Sequence, residues 1–195
     1  MTDLDLLHYF LGFEIKQSEE EIFVSQEKYA KDLLKRFEML DCKKTATPMN
    51  INEKLRFEDG TKMTHTRPDI AFSVGVVFKY MHNPTKHHFG AAKRISRYIV
   101  GTMNYGIWYS HIINFNLFEF SDSDWAGFVG DRRSTSGNVF TLGSGAISWS
   151  SKKQAITALS SFEAEYVVAA SSVCQALWLE GYLNIIVNLK KKLLI

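Results

Sequence analysis

The spacing of apolar positions changes repeatedly along the chain, and each change predicts an element. LHYFLGFEI (7–15) is apolar and aromatic-rich, and EEEIFVS (19–25) follows at hairpin distance, so two paired strands are expected. Ser25 stands where a side-chain oxygen can cap the next helix. In that helix Tyr29, Leu33, Phe37 and Leu40 recur at spacings of four, four and three, which predicts one buried stripe. Residues 41–66 are polar and aperiodic, as in a loop or linker. Pro68 suits the first turn of a helix running to about His82. Asn83-Pro84 opens another helix, ended near Gly101, with Phe89, Ala92, Ile95 and Ile99 as its apolar face.

The second half switches to a period of two. In FNLFEFSDSDWAG, alternation puts Phe118, Phe120, Asp122 and Asp124 on one face and Leu117, Glu119, Ser121 and Ser123 on the other. Asp122 then continues an apolar face, a costly place for an anion unless it is paired or bound to a metal. The alternative is a strand that simply ends here with both aspartates exposed. Trp125-Ala126-Gly127 marks a sharp exit. Val139–Leu142 and Ala146–Ser150 flank Gly143-Ser144-Gly145 as a hairpin. Ser160-x-x-Glu163 is a capping-box signature for a helix reaching about Leu183, which accounts for Glu163 structurally. Glu165 has no such role. It aligns with Ala169, Ser172 and Ala176, a small-residue stripe that suits close packing on a sheet.

Composition narrows the class. The 195 residues allow one domain or two small ones, 46% apolar content is globular, and 23% charged residues do not suggest disorder. A net charge of +2 means that nucleic-acid affinity has to come from local patches. One such patch is Lys86, Lys93 and Arg97, at i, i+7 and i+11, almost opposite the apolar face of the Asn83–Gly101 helix. Charge alone leaves this row as either a solvated face or a phosphate-tracking ridge. The same choice applies to Arg132-Arg133 and Lys152-Lys153 in their connections. Cys42 and Cys174 lack metal-type spacing and fit reduced, buried thiols. No apolar run approaches ~18 residues, and the N-terminus has acids rather than a basic-then-apolar signal. An intracellular protein, cytoplasmic or nuclear and without membrane contact, is expected.

The wording FSDSDWAG…DRRSTSGNVFTLGSGAISWSSKKQ…LSSFEAEYVVAAS resembles the ribonuclease H domain of copia-type retrotransposon Pol polyproteins. DLDLLHYFLGFEI, FVSQEKYAKDLLKRFEMLDCKKTATPM, TRPDIAFSV and HFGAAKRISRYIVGT resemble the end of the reverse transcriptase just upstream of it. The resemblance implies a thumb- or connection-like remnant in residues 1–110 and a truncated ribonuclease H-like domain in 111–195. The fold class is then α/β (α+β). An incomplete ribonuclease H-like fold of three antiparallel strands plus a helix follows a mostly helical reverse-transcriptase remnant with a short hairpin.

By that resemblance Asp122 and Glu165 are the catalytic and metal-ligating pair, and Asp124 and Glu163 are supporting residues. The implied cofactor is Mg2+, two ions ~4 Å apart in the family's hydrolysis. The implied partner is an RNA–DNA hybrid, with Lys86, Lys93 and Arg97 as its nucleic-acid ridge. Departures from the family pattern limit the activity. The polymerase's paired-aspartate turn is absent, and a segment resembling Y-R-x-L-V-G-x-L-L-Y-L is missing before TRPDI. No aspartate follows Asp131, so the family's later acids have no counterpart. NIIVNLKKKLLI, after Leu183, has no family likeness.

The expectation is a Pol fragment that is catalytically incomplete. Its alternatives are a non-catalytic nucleic-acid-binding remnant and an unstable product. A glycosidase-type carboxylate pair lacks an aromatic sugar platform, and His87-His88 lacks zinc-ligand spacing.

Overall fold

The computed structural model describes residues 8–49, 66–78, 80–81, 84–110, 116–127 and 131–193, with side chains as far as 187. The chain divides into two compact units, Met1–Ile113 and Asn114–Ile195. Among the described residues, the first combines three helices with an antiparallel sheet, and the second combines one helix with another such sheet. No helix among the described residues is long and apolar enough to cross a membrane.

In the first unit the expected opening strand is two strands. β1 (Tyr9–Phe10) and β2 (Phe13–Gln17) fold back on each other through Leu11 and Gly12. Both turn residues have positive φ, 49° and 88°, as the favoured two-residue hairpins require. β3 (Glu21–Ser25) pairs with β2 as expected, and β4 (Gly106–Ser110) adds to its other side. The order is β1-β2-β3-β4, so a four-stranded sheet stands where only a short hairpin was expected. Gly106 is required where β4 meets β3, because a Cβ there would lie 2.4 Å from the Val24 carbonyl oxygen. Phe23 and Trp108 face each other across the pair with centroids 4.4 Å apart.

Three helices complete this unit: α1 (Glu27–Arg36), α2 (Pro68–Phe78) and α3 (Lys86–Gly101). Ser25 does not cap α1. It is buried at the end of β3, and Gln26 takes the cap position without a side-chain bond. The buried residues of α1 are Ala30 and Leu34, while Tyr29 and Phe37 are exposed. Two apolar stripes overlap in this helix, and the smaller residues pack against the core. Phe37 also falls at the C-cap, past the last full turn. In α3 the buried residues are His88, Ala91, Ile95, Ile99 and Val100, so Phe89 is displaced from the expected apolar face to the surface. The residues expected to form a linker are irregular over 41–49, and 50–65 lie outside the described residues, as do His82 and Asn83.

The second unit has the order β5-β6-β7, from Leu117–Asp124, Thr135–Leu142 and Gly145–Lys153. α4 (Ser161–Leu193) packs on β5 and β6. It runs well past Leu183, because no glycine or proline interrupts the apolar and lysine-rich tail. The buried stripe of α4 includes Ala164, Val168, Ser172 and Leu179, one position before the predicted Glu165–Ala169–Ser172 alignment at its start. Of the two thiols, Cys42 is half-buried and Cys174 exposed, so the expected burial holds for neither in full.

Candidate metal and nucleic-acid sites

The position of Asp122 follows from the pairing of β5. All its pairs with β6 keep a regular alternation, with Glu119 opposite Phe140, Asp122 opposite Gly137 and Ser123 opposite Ser136. Phe140 is 0% exposed, so the Leu117–Glu119–Ser121–Ser123 face is the one beneath the helix. Gln154 confirms the direction. Its Nε2 donates to Ser136 Oγ at 3.0 Å and to the Ala164 carbonyl at 2.9 Å, joining that face to α4.

The expected burial is therefore inverted. Phe118 and Phe120 are 53% and 63% exposed, and Asp122 shares their open face. Side-chain size explains the inversion. A helix presenting Ala164, Val168 and Ser172 sits closely on serines, whereas two phenylalanines would hold it off.

Glu165 lies at the margin of the packed stripe and is exposed. Its Oε1 accepts a 3.0 Å hydrogen bond from the Ser123 hydroxyl. That bond ties Glu165 to the helix-facing side of β5, whereas alternation directs Asp122 to the other side. The two acids thus belong to β5 and α4, with Glu165 bonded on the helix-facing side of β5 and Asp122 assigned by alternation to its other face. Asp124 accepts from the Thr135 backbone N–H, and this bond closes the end of the β5–β6 pair. Glu163 Oε2 accepts from Leu159 N–H at 2.6 Å, while Ser160 Oγ accepts from Glu163 N–H at 3.2 Å. This is a capping arrangement shifted by one residue, and it leaves Glu163 as a helix-start residue. No group of three or more His, Cys, Asp or Glu suited to a metal occurs among the described residues.

The row Lys86, Lys93 and Arg97 lies on α3 opposite the side carrying His88, Ala91, Ile95 and Ile99. Lys86 and Lys93 are exposed and Arg97 is half-buried. Arg94 borders the row and donates to Thr47 Oγ1 at 2.8 Å. Lys86–Gly101 contains four lysines and arginines and no carboxylate, so nothing within the helix neutralises them.

The loop cations differ. Asp131 accepts from Lys153 Nζ at 2.6 Å and faces Arg133 Nε at 3.5 Å. Burial raises the Asp131 carboxyl, but Lys153 and Arg133 outweigh it and hold the group below the usual carboxylate range. Lys153 and Arg133 thus have a structural partner, while Arg132 is exposed at φ 57°.

Sequence reasoning missed a buried polar network in the first unit. Arg67 is 5% exposed, and its guanidinium donates to Asp69 at 2.8 and 2.9 Å, to Thr102 Oγ1 at 2.7 Å and to the Thr102 carbonyl at 3.1 Å. Burial pushes the Asp69 carboxyl up, but Arg67 and the Tyr98 hydroxyl more than reverse this and lower it. Arg67 borders a cavity of about 220 Å³ lined by Tyr29, Leu33, Ile70, Val74 and Ile95. Since its cation is already engaged, the cavity presents an apolar wall and no anion site.

With this geometry in view, the chain is similar to three curated proteins of Arabidopsis thaliana. It is 40% identical over 189 residues to the retrovirus-related Pol polyprotein from transposon RE2, covering 89% of this chain. It is 40% identical over 195 residues to the Pol polyprotein from transposon RE1, covering 92%. It spans only 13% of each of those polyproteins. An uncharacterised mitochondrial protein is 38% identical over 193 residues, covering 91% of this chain and 80% of the relative. No family model matches the chain, and no solved structure does.

Proposed function

The chain belongs to the family of copia-type retrotransposon Pol polyproteins, and from that premise we propose that it binds nucleic acid without cutting it. In this reading residues 1–110 derive from the end of the reverse transcriptase and residues 111–195 from the start of a ribonuclease H-like domain. Three antiparallel strands followed by a helix lying on the first two support the second assignment. The ligand is an RNA–DNA hybrid or a related nucleic acid, held through its phosphates.

The observation that carries this reading is the composition of α3. A helix with Lys86, Lys93, Arg94 and Arg97 and no acid of its own presents a cationic face to a polyanion. The magnesium implied by the family does not fit the residues present. That ion takes oxygen ligands in near-ideal octahedral geometry. Glu165 is bonded to Ser123 on one side of β5, and strand alternation assigns Asp122 to the other.

A salt titration of hybrid binding tests the proposal. Each lost phosphate contact flattens the log–log slope by about 0.7–0.9. Replacing Lys86, Lys93 and Arg97 with alanine should therefore reduce it by about two to three and weaken all sequences alike. Arg132→Ala and Arg133→Ala should have smaller effects. Equal slopes for wild type and triple variant would reduce this row to a solvated helix face.

A further inference from the structure

The cationic row of α3 contains an aromatic side chain with no packing role. At 3.6 residues per turn, Phe89 falls between Lys86 and Lys93 on the same stripe, three positions from one and four from the other. Its ring is not part of the core. Phe89 is 61% exposed, although Ala91, Ile95 and Ile99 of the same helix are buried. The Lys93 ammonium lies 4.5 Å from the ring centroid, so a cation sits over the aromatic surface.

The next residue, Gly90, also faces outward, and a Cβ built there would meet no atom within 4 Å. Glycine inside an exposed helix costs about 1 kcal/mol relative to alanine, and no neighbour in this structure requires it. What Gly90 does provide is a surface without side-chain bulk beside an exposed ring, where a flat group can approach the backbone.

We propose that Phe89 is a stacking platform for an unpaired base and that α3 takes single-stranded nucleic acid, with Lys86, Lys93 and Arg97 on its phosphates. Alternating cations and an exposed aromatic ring suit single strands, because every base has a π-face and successive phosphates follow the charge. A duplex keeps its bases stacked inside and offers Phe89 nothing. The proposal rests on the nucleic-acid reading of the row and adds the class of ligand that the row selects.

The test compares a labelled oligothymidylate with a blunt RNA–DNA hybrid, using the full chain across a range of salt. Phe89→Ala should weaken oligothymidylate about 5- to 150-fold while leaving its salt slope unchanged. Hybrid affinity should stay within about twofold, since phosphate contacts alone hold a duplex. Phe89→Trp should restore single-strand binding and Phe89→Leu should not, which separates stacking from apolar contact. Because the ring is exposed, these variants leave the core intact.

Unchanged oligothymidylate affinity in Phe89→Ala overturns the platform. An equal loss on both ligands overturns it too. If Lys86→Ala, Lys93→Ala and Arg97→Ala together still flatten the salt slope, the phosphate row stands without the platform. If wild type shows no salt-dependent binding to either ligand, both readings fall.

Discussion

At the scale of single residues, the TRPDI segment shows how recognisable wording can encode a latch. Thr66 donates to Gln26 Oε1 at 2.8 Å, which fixes the segment to the start of α1. Pro68 begins α2, where its missing N–H costs nothing. Arg67 and Asp69 pair beside it, and Thr102, 35 positions on, completes the arginine's bonds. The Arg–Asp spacing is visible in sequence, but Thr102 is not, because no local period connects it to the pair. Asp69→Asn should cost about 1.5–3 kcal/mol by leaving the buried Arg67 cation without its anion. Urea denaturation checks this.

The pH dependence follows from the sign of the shift. Asp69 is lowered below its ordinary 3.8, so its contribution is complete above that value and is lost as pH falls through the folded value. The gap between wild type and Asp69→Asn should therefore close in acid. A gap that stays constant through the acid limb would count against the Arg67 pairing.

At the scale of elements, helices were legible but their caps shifted: Gln26 rather than Ser25 precedes α1, and Thr85 rather than Asn83-Pro84 precedes α3. Thr85 caps α3, accepting from His88 N–H at 3.5 Å, while Thr85 N–H donates to His88 Nδ1 at 2.9 Å. Rotation about a helix axis is instead set by what lies beneath it. Ala30 and Leu34 therefore replace the bulkier stripe of α1, and α4 buries Ala164 rather than Glu165. β4 escaped detection because its five residues, GIWYS, acquire a strand partner only from β3, far earlier in the chain.

The α3 cap also makes a pH prediction. Burial of His88, whose ring stacks on Tyr80 at 4.3 Å, lowers its pKa below 6.5, and the neighbouring His87 charge adds to this. Stability from the neutral ring is complete above 6.5 and declines as pH falls through the lower folded value, where protonation removes the Nδ1 acceptor. Thr85→Ala should cost about 0.5–2 kcal/mol at neutral pH. His88→Gln should remove the histidine part of the decline, measured as the urea midpoint from about pH 7.5 to about pH 5. A variant whose decline matches wild type would exclude His88 as its source.

At the scale of the whole molecule, the sequence identified the family and put its candidate acids on a strand and a helix, but not which face of that strand is covered. A period of two assigns β5 residues to faces without saying which face is buried, and Phe118 and Phe120 made the wrong one look like the core. Hydrolysis through metal ions needs several oxygen donors converging on one place. Here Glu165 accepts from Ser123, Asp124 from Thr135 and Glu163 from Leu159, so three acids near the junction are engaged by the fold. Asp122 remains, on the face of edge strand β5 away from Ser123. Incubation of the purified chain with Mg2+ should therefore leave a labelled RNA–DNA hybrid uncut, and Asp122→Asn should match wild type in both cleavage and binding. Ser123→Ala adds a sharper test, because it frees Glu165 from its only described hydrogen bond without creating a second donor. Cleavage should remain absent in that variant as well. Magnesium-dependent cleavage by wild type that disappears in Asp122→Asn would show that these carboxylates do converge in solution. The non-hydrolytic reading would then be wrong.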